Sequence, residues 1–105
     1  MKLFISQPMK DKTNEEIEAE RERAILKVKK RFPDEKIEVI DSFFKDAPHE
    51  AKPLWFLGKS LELLSTADIA YFIGDWENYR GCRIENQCCK DYCIPVIEEY
   101  RINTN

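Results

Sequence analysis

The densest run of reactive side chains is Gly74-Asp75-Trp76-Glu77-Asn78-Tyr79-Arg80-Gly81-Cys82-Arg83-Ile84-Glu85, which leaves an apolar stretch and enters a helical pattern. Glu85 follows Gly81 by one helical turn, near the positive end of the helix dipole, where a carboxylate is expected to stay ionised. Held there, it can attack an anomeric carbon or act as a general base. It can equally be a surface residue that does no more than complement the dipole. Gly81 carries no side chain, so a ligand can approach the backbone and the free N–H groups of the helix start. Arg80 brings a fixed positive charge suited to phosphate or carboxylate, or it pairs with Glu77 or Asp75. Trp76 and Tyr79 are aromatic surfaces in a polar loop, suited to stacking on a base or ribose. Trp76 can equally cap the core.

Two further segments carry candidate chemistry. Ser6, Gln7, Pro8 and Met9 lie between a strand end and a helix start, where phosphate loops lie, although no glycine is present. Lys10 and Lys12 follow and can meet an anionic ligand; the alternative is a plain connection. Asp41 ends another strand-like run and can bind ribose hydroxyls, as acidic groups at strand ends do in dinucleotide folds, or simply form a turn. Phe43 and Phe44 suit a base pocket or a partner subunit, and His49 is an acid/base candidate or an ordinary exposed histidine. There is no Ser-His-Asp arrangement. The four cysteines, Cys82, Cys88, Cys89 and Cys93, crowd one short helical-looking segment away from the single histidine. They read as reduced, buried thiols rather than as zinc ligands or a disulfide framework. No metal or cofactor is called for.

These residues need elements to position them. The chain has 105 residues, 43% hydrophobic, with a formal net charge of -3. That suits one globular domain with a modest core and gives no reason to expect a nucleic acid polymer or an anionic membrane as partner. No apolar run approaches the ~20 residues of a membrane span. The segment Met1 to Ile5 is too short for a signal peptide, so a cytoplasmic location is expected. Residues 2–6 read as a buried strand. Thr13 and Glu16 form a capping box ahead of a helix with Ile17, Ala24, Ile25 and Val28 on its apolar stripe, stopped near Pro33. Residues 36–41 alternate as a second strand. Pro53 opens a helix through Leu54, Leu57, Leu61 and Leu64. Residues 68–73 form a third strand, 80–93 a third helix and 95–98 a fourth strand. Residues 1–99 form the domain and 100–105 a tail.

Strands separated by helices imply an α/β domain with three layers, a Rossmann-like or flavodoxin-like parallel sheet in the order 2-1-3-4. The ligand crevice of such a sheet opens beyond the carboxyl ends of adjacent strands whose connections run to opposite faces. Here these are the first and third strands, with residues 6–9 and 74–81 as the walls.

The runs LFISQPMKDKT, DSFFKDAPHEAKPLWFLGKSLELLSTAD and WENYRGCRIE resemble the nucleoside 2-deoxyribosyltransferase superfamily, which includes the deoxynucleoside monophosphate N-glycosidases. They are most similar to a compact subfamily common in phages and prophages. The resemblance spans nearly the whole chain. It implies that Glu85, four residues after Gly81, is the nucleophile that attacks C1′ and displaces the base, and that the deoxyribosyl group then passes to water or to another base. It implies that Ser6, Gln7, Pro8 and Met9 cradle the sugar or 5′-phosphate, and that residues near Trp76 and Asn78 contact sugar or base; Arg80, Gly81, Cys82, Asp41 and Phe43 are expected to bind substrate beside them. A small-molecule nucleotide or nucleoside ligand and a homodimer or larger homo-oligomer follow from the same resemblance. The chain departs from the pattern at Phe4, where a tyrosine usually orients the glutamate. It departs again at Gln7-Pro8, where the family has a glycine-containing turn, and at Ser60, where transferases carry an acid. Tyr79 and Arg80 replace acidic residues, and Arg80 favours an anionic substrate. The alternative is a phage protein that binds a nucleotide, or a nucleotide-derived defence messenger, without turning it over.

Overall fold

The structure is a computed structural model and describes residues 1–44 and 46–99; the expected tail lies outside the described residues. The element order is β1 (Lys2–Ser6), α1 (Asn14–Arg31), β2 (Glu38–Val39), α2 (Pro53–Leu64), β3 (Ile69–Phe72), a 3-10 turn (Trp76–Asn78), α3 (Arg80–Asp91) and β4 (Val96–Glu98). All strand pairs are parallel, in the order β2-β1-β3-β4. The expected strand order is therefore the observed one.

The central strands β1 and β3 are covered on both faces, as their unbroken apolar runs require. Alternation splits β1 between two cores. Leu3 and Ile5 join Ala24 and Val28 of α1 with Ile69, Tyr71 and Ile73. Phe4 faces the opposite way and packs with Leu64 of α2, Cys82 and Cys89 of α3, Ala70 and Phe72. Thus α1 covers one face, while α2 and α3 cover the other. The chain leaves β1 toward one face and β3 toward the other, so the switch point falls between these two strands, which pair from Leu3 opposite Ile69 to Ser6 opposite Phe72.

Local signals explain the boundaries. Thr13 Oγ1 accepts from Glu16 N at 3.1 Å, and Glu16 Oε1 accepts from Thr13 N at 3.2 Å, which closes the capping box of α1. The helix ends at Arg31, because Phe32 precedes Pro33 and leaves helical geometry (φ -124°, ψ 67°). Strand β2 is shorter than the alternating 36–41 run suggests. It is an edge strand with β1 as its sheet neighbour, and its ladder spans only Glu38 and Val39. Helix α3 stops at Asp91, so Cys93 lies beyond it and is exposed, with φ 59°. Cys82 and Cys89 are buried free thiols, and Cys88 is partly buried. No helix of the described residues is long and apolar enough to cross a membrane.

Candidate active site

Beyond the carboxyl end of β1 lies a cavity of about 270 Å³. Its floor is the strand end, Phe4 to Ser6, continued by Gln7, Pro8 and Met9; its remaining walls are Ser42 to Phe44, the first turns of α2 and the start of α3. Glu85 is the carboxylate at its base among the described residues, 7% exposed. The serine at the end of β1 shares the face of Phe4, two residues earlier, and so points at α3. Ser6 Oγ donates to Glu85 Oε1 at 2.6 Å. Ser60, on α2, donates to the same carboxylate. The carboxylate thus accepts from two hydroxyls, one from the end of β1 and one from α2.

Burial pushes the Glu85 pKa up to about 7, against the opposing pull of the Ser6 and Ser60 hydrogen bonds. The expectation of a firmly ionised carboxylate is corrected here. Glu85 is in the second turn of α3, where the dipole has largely faded, so loss of solvent prevails. Burial also raises the thiol of Cys82, to about 11, which leaves it a neutral wall atom rather than a nucleophile. Gly81 lines the cavity as well, and a Cβ built on it would meet nothing within 4 Å. The space beside the first turn of α3 is therefore open to a ligand.

Other expected residues lie elsewhere. Trp76 is buried, its ring 5.3 Å from that of Phe72, and its Nε1 donates to the Glu99 carbonyl at 2.9 Å; it fills core and does not line the cavity. Asn78 and Arg80 are exposed and also lie off the cavity wall. One residue draws this loop away. The Glu99 carboxylate accepts from Gly74 N at 3.0 Å, from the Tyr71 hydroxyl and from Lys27 Nζ at 3.3 Å. Gly74 turns the chain there with φ 62°, a conformation natural to glycine. Residues 74–78 are thereby tied to the end of β4; of the expected wall Tyr79 and Gly81 line the cavity, and α2 supplies the rest. Lys12 is engaged with Glu20 at 2.9 Å, and His49 is exposed.

A second cavity, of about 420 Å³, adjoins the first. Phe43 and Phe44 line both, and Asp41 lines the second, with Arg21, Asp46 and Trp55. Arg21 is 8% exposed, and its guanidinium donates to Ser42 Oγ and to the Ile40 carbonyl, each at 3.3 Å. Burial lowers its pKa, and the field of Asp41 raises it. Sequence reasoning missed Arg21, although a signal was present: it occupies a stripe position between Ile17 and Ala24, where an apolar residue belongs. The α2 residues Phe56 and Leu57 were missed as cavity wall because their apolar spacing reads only as core.

No protein-family model, curated protein or solved structure matches the chain. Among the described residues no group of histidine, cysteine, aspartate and glutamate is placed to hold a metal ion.

Proposed function

We propose that the protein cleaves the N-glycosidic bond of a nucleoside monophosphate-like substrate, by hydrolysis or by deoxyribosyl transfer, with Glu85 as nucleophile. The observation that carries this reading is the buried carboxylate at the base of an open cavity, held by Ser6 at 2.6 Å and by Ser60. A carboxylate fixed in one orientation beside a sugar-sized space is what displacement at an anomeric carbon needs.

In the first step a Glu85 oxygen bonds to C1′ while the C1′–N bond breaks. The electron pair leaves with the base nitrogen, which takes up a proton from water. A water molecule, or the nitrogen of a second base, then attacks C1′, gives its proton to the hydroxide left by the first step, and releases the Glu85 carboxylate. Ser6 and Ser60 hold the nucleophile throughout. The open flank at Gly81 lies about 6 Å along the α3 axis from Glu85, a span suited to a 5′-phosphate meeting the first-turn N–H groups while C1′ faces the carboxylate. The nucleophile must be ionised, so the rate is expected to rise with pH through about 7.

A second reading, nucleotide binding without turnover, draws on the same raised pKa, because a protonated Glu85 is a hydrogen-bond donor rather than a nucleophile. Mass spectrometry of the purified protein, and of protein quenched during incubation with deoxynucleoside monophosphates, separates the two. A sugar-phosphate adduct on the Glu85 peptide supports catalysis. An intact nucleotide carried through purification, with no adduct formed, supports binding alone. Under either reading we propose a homo-oligomer, since Leu54 and Tyr92 are 75% and 79% exposed on a small domain.

A further inference from the structure

We propose that the cavity beside Arg21 and Asp41 is a base-recognition subsite that selects guanine, with the sugar seated in the neighbouring Glu85 cavity. This rests on the reading of the Glu85 cavity as the sugar end of the site. At about 270 Å³ that cavity is smaller than the ~300–1,000 Å³ of typical small-molecule sites, so a whole nucleotide needs further room. The adjoining 420 Å³ supplies it, and Phe43 and Phe44 form a wall common to both spaces. Ser42 lines the sugar side and its chain neighbour Asp41 the other.

The lining decides which end of the substrate enters. Among the described residues, the carboxylates of Glu18, Asp41 and Asp46 line this cavity with the guanidinium of Arg21, a set that favours a group carrying N–H donors. Trp55 and Phe44 meet edge to face, with centroids 6.0 Å apart, and offer flat apolar surface for a heterocycle. Arg21 is held in place from behind by Ser42 Oγ and the Ile40 carbonyl. A guanidinium has five N–H donors, so the fork keeps others for a ligand. A carboxylate accepts side by side from an N–H and an adjacent amino group, while arginine donates to a carbonyl and a ring nitrogen. Guanine carries both edges: N1–H with the 2-amino group for Asp41, and O6 with N7 for Arg21. Hypoxanthine lacks the amino group, adenine lacks the carbonyl, and cytosine offers the carboxylate a single amino group.

The test is calorimetric titration of the full chain carrying Glu85→Gln with dGMP, dIMP, dAMP and dCMP, beside base release from the same nucleotides by wild type. dGMP is expected to bind about 10- to 100-fold more tightly than dIMP, the worth of one hydrogen bond to a charged group. Adding Asp41→Asn, at an exposed position, should erase that preference, and Trp55→Leu should weaken all four nucleotides together. Equal affinity for dGMP and dIMP, or a preference that survives Asp41→Asn, overturns the subsite. Base release by wild type without preference for guanine overturns it too, and leaves the glycosidase reading standing. Guanine-selective binding with no release supports the subsite and removes the catalytic reading. No binding of any nucleotide overturns both.

Discussion

The Glu85 carboxylate sits where two opposing effects meet. Removal from water raises its pKa, and the hydroxyls of Ser6 and Ser60 pull it back, leaving it at about 7. The unfolded chain gives up this proton near 4.5, so between these values the folded state holds a proton that the unfolded state has lost. Stability therefore falls as pH climbs from about 4.5 through 7, by about 3 kcal/mol when the shift is fully expressed. Glu85→Gln mimics the protonated form and should abolish this loss. Its urea midpoint is expected to match wild type at pH 5 and to exceed it clearly at pH 8.5, which denaturation at the two pH values measures. The sequence placed Glu85 and Gly81 correctly on a helix start. It did not reveal the sign of the Glu85 shift, because burial depends on Phe4, α2 and the strand end, which spacing within one helix does not encode.

At the scale of elements, the end of β1, the turn before α2, Tyr79 and the start of α3 make the site, while residues 74–78 do not. The strand end and the α3 start were legible, since β1 is an unbroken apolar run and Gly81 marks an open helix flank. The displacement of the 74–78 loop was not legible, because it follows from one carboxylate, Glu99, that gathers Tyr71, Gly74 and Lys27 from two elements and a turn. The role of Trp76 follows from the same anchor, through its bond to the Glu99 carbonyl. Gly81 separates fold from function within α3. Its substitution by alanine meets no atom within 4 Å and improves helix propensity by up to about 1 kcal/mol. Gly81→Ala should therefore melt no lower than wild type. The added methyl narrows the approach to the first-turn N–H groups, so its KM for a nucleoside monophosphate should rise. Thermal melts and steady-state kinetics on the same preparation check both halves.

Over the whole molecule, strand order determines where a ligand can sit, and that order followed from the alternation of strands with helices and the handedness of their connections. The two cavities lie at the predicted end of the sheet. Their division of labour came into view only with Arg21, a charge placed on a stripe otherwise read as core. The domain leaves apolar surface uncovered at Leu54 on α2 and at Tyr92 past the end of α3. Light scattering is expected to give at least twice the monomer mass, and Leu54→Glu to shift it toward the monomer. A monomeric wild type at micromolar concentration would remove the oligomer from the account.

The proposed role of Glu85 is to break a glycosidic bond. Chromatographic detection of free base, from a panel of deoxynucleoside and nucleoside monophosphates across pH 5 to 9, tests it most directly with wild type and Glu85→Gln side by side. Wild type is expected to release base at a rate that rises through about pH 7, and the variant to release none. Release at equal rates by both proteins, or by neither from any member of the panel, would contradict that role.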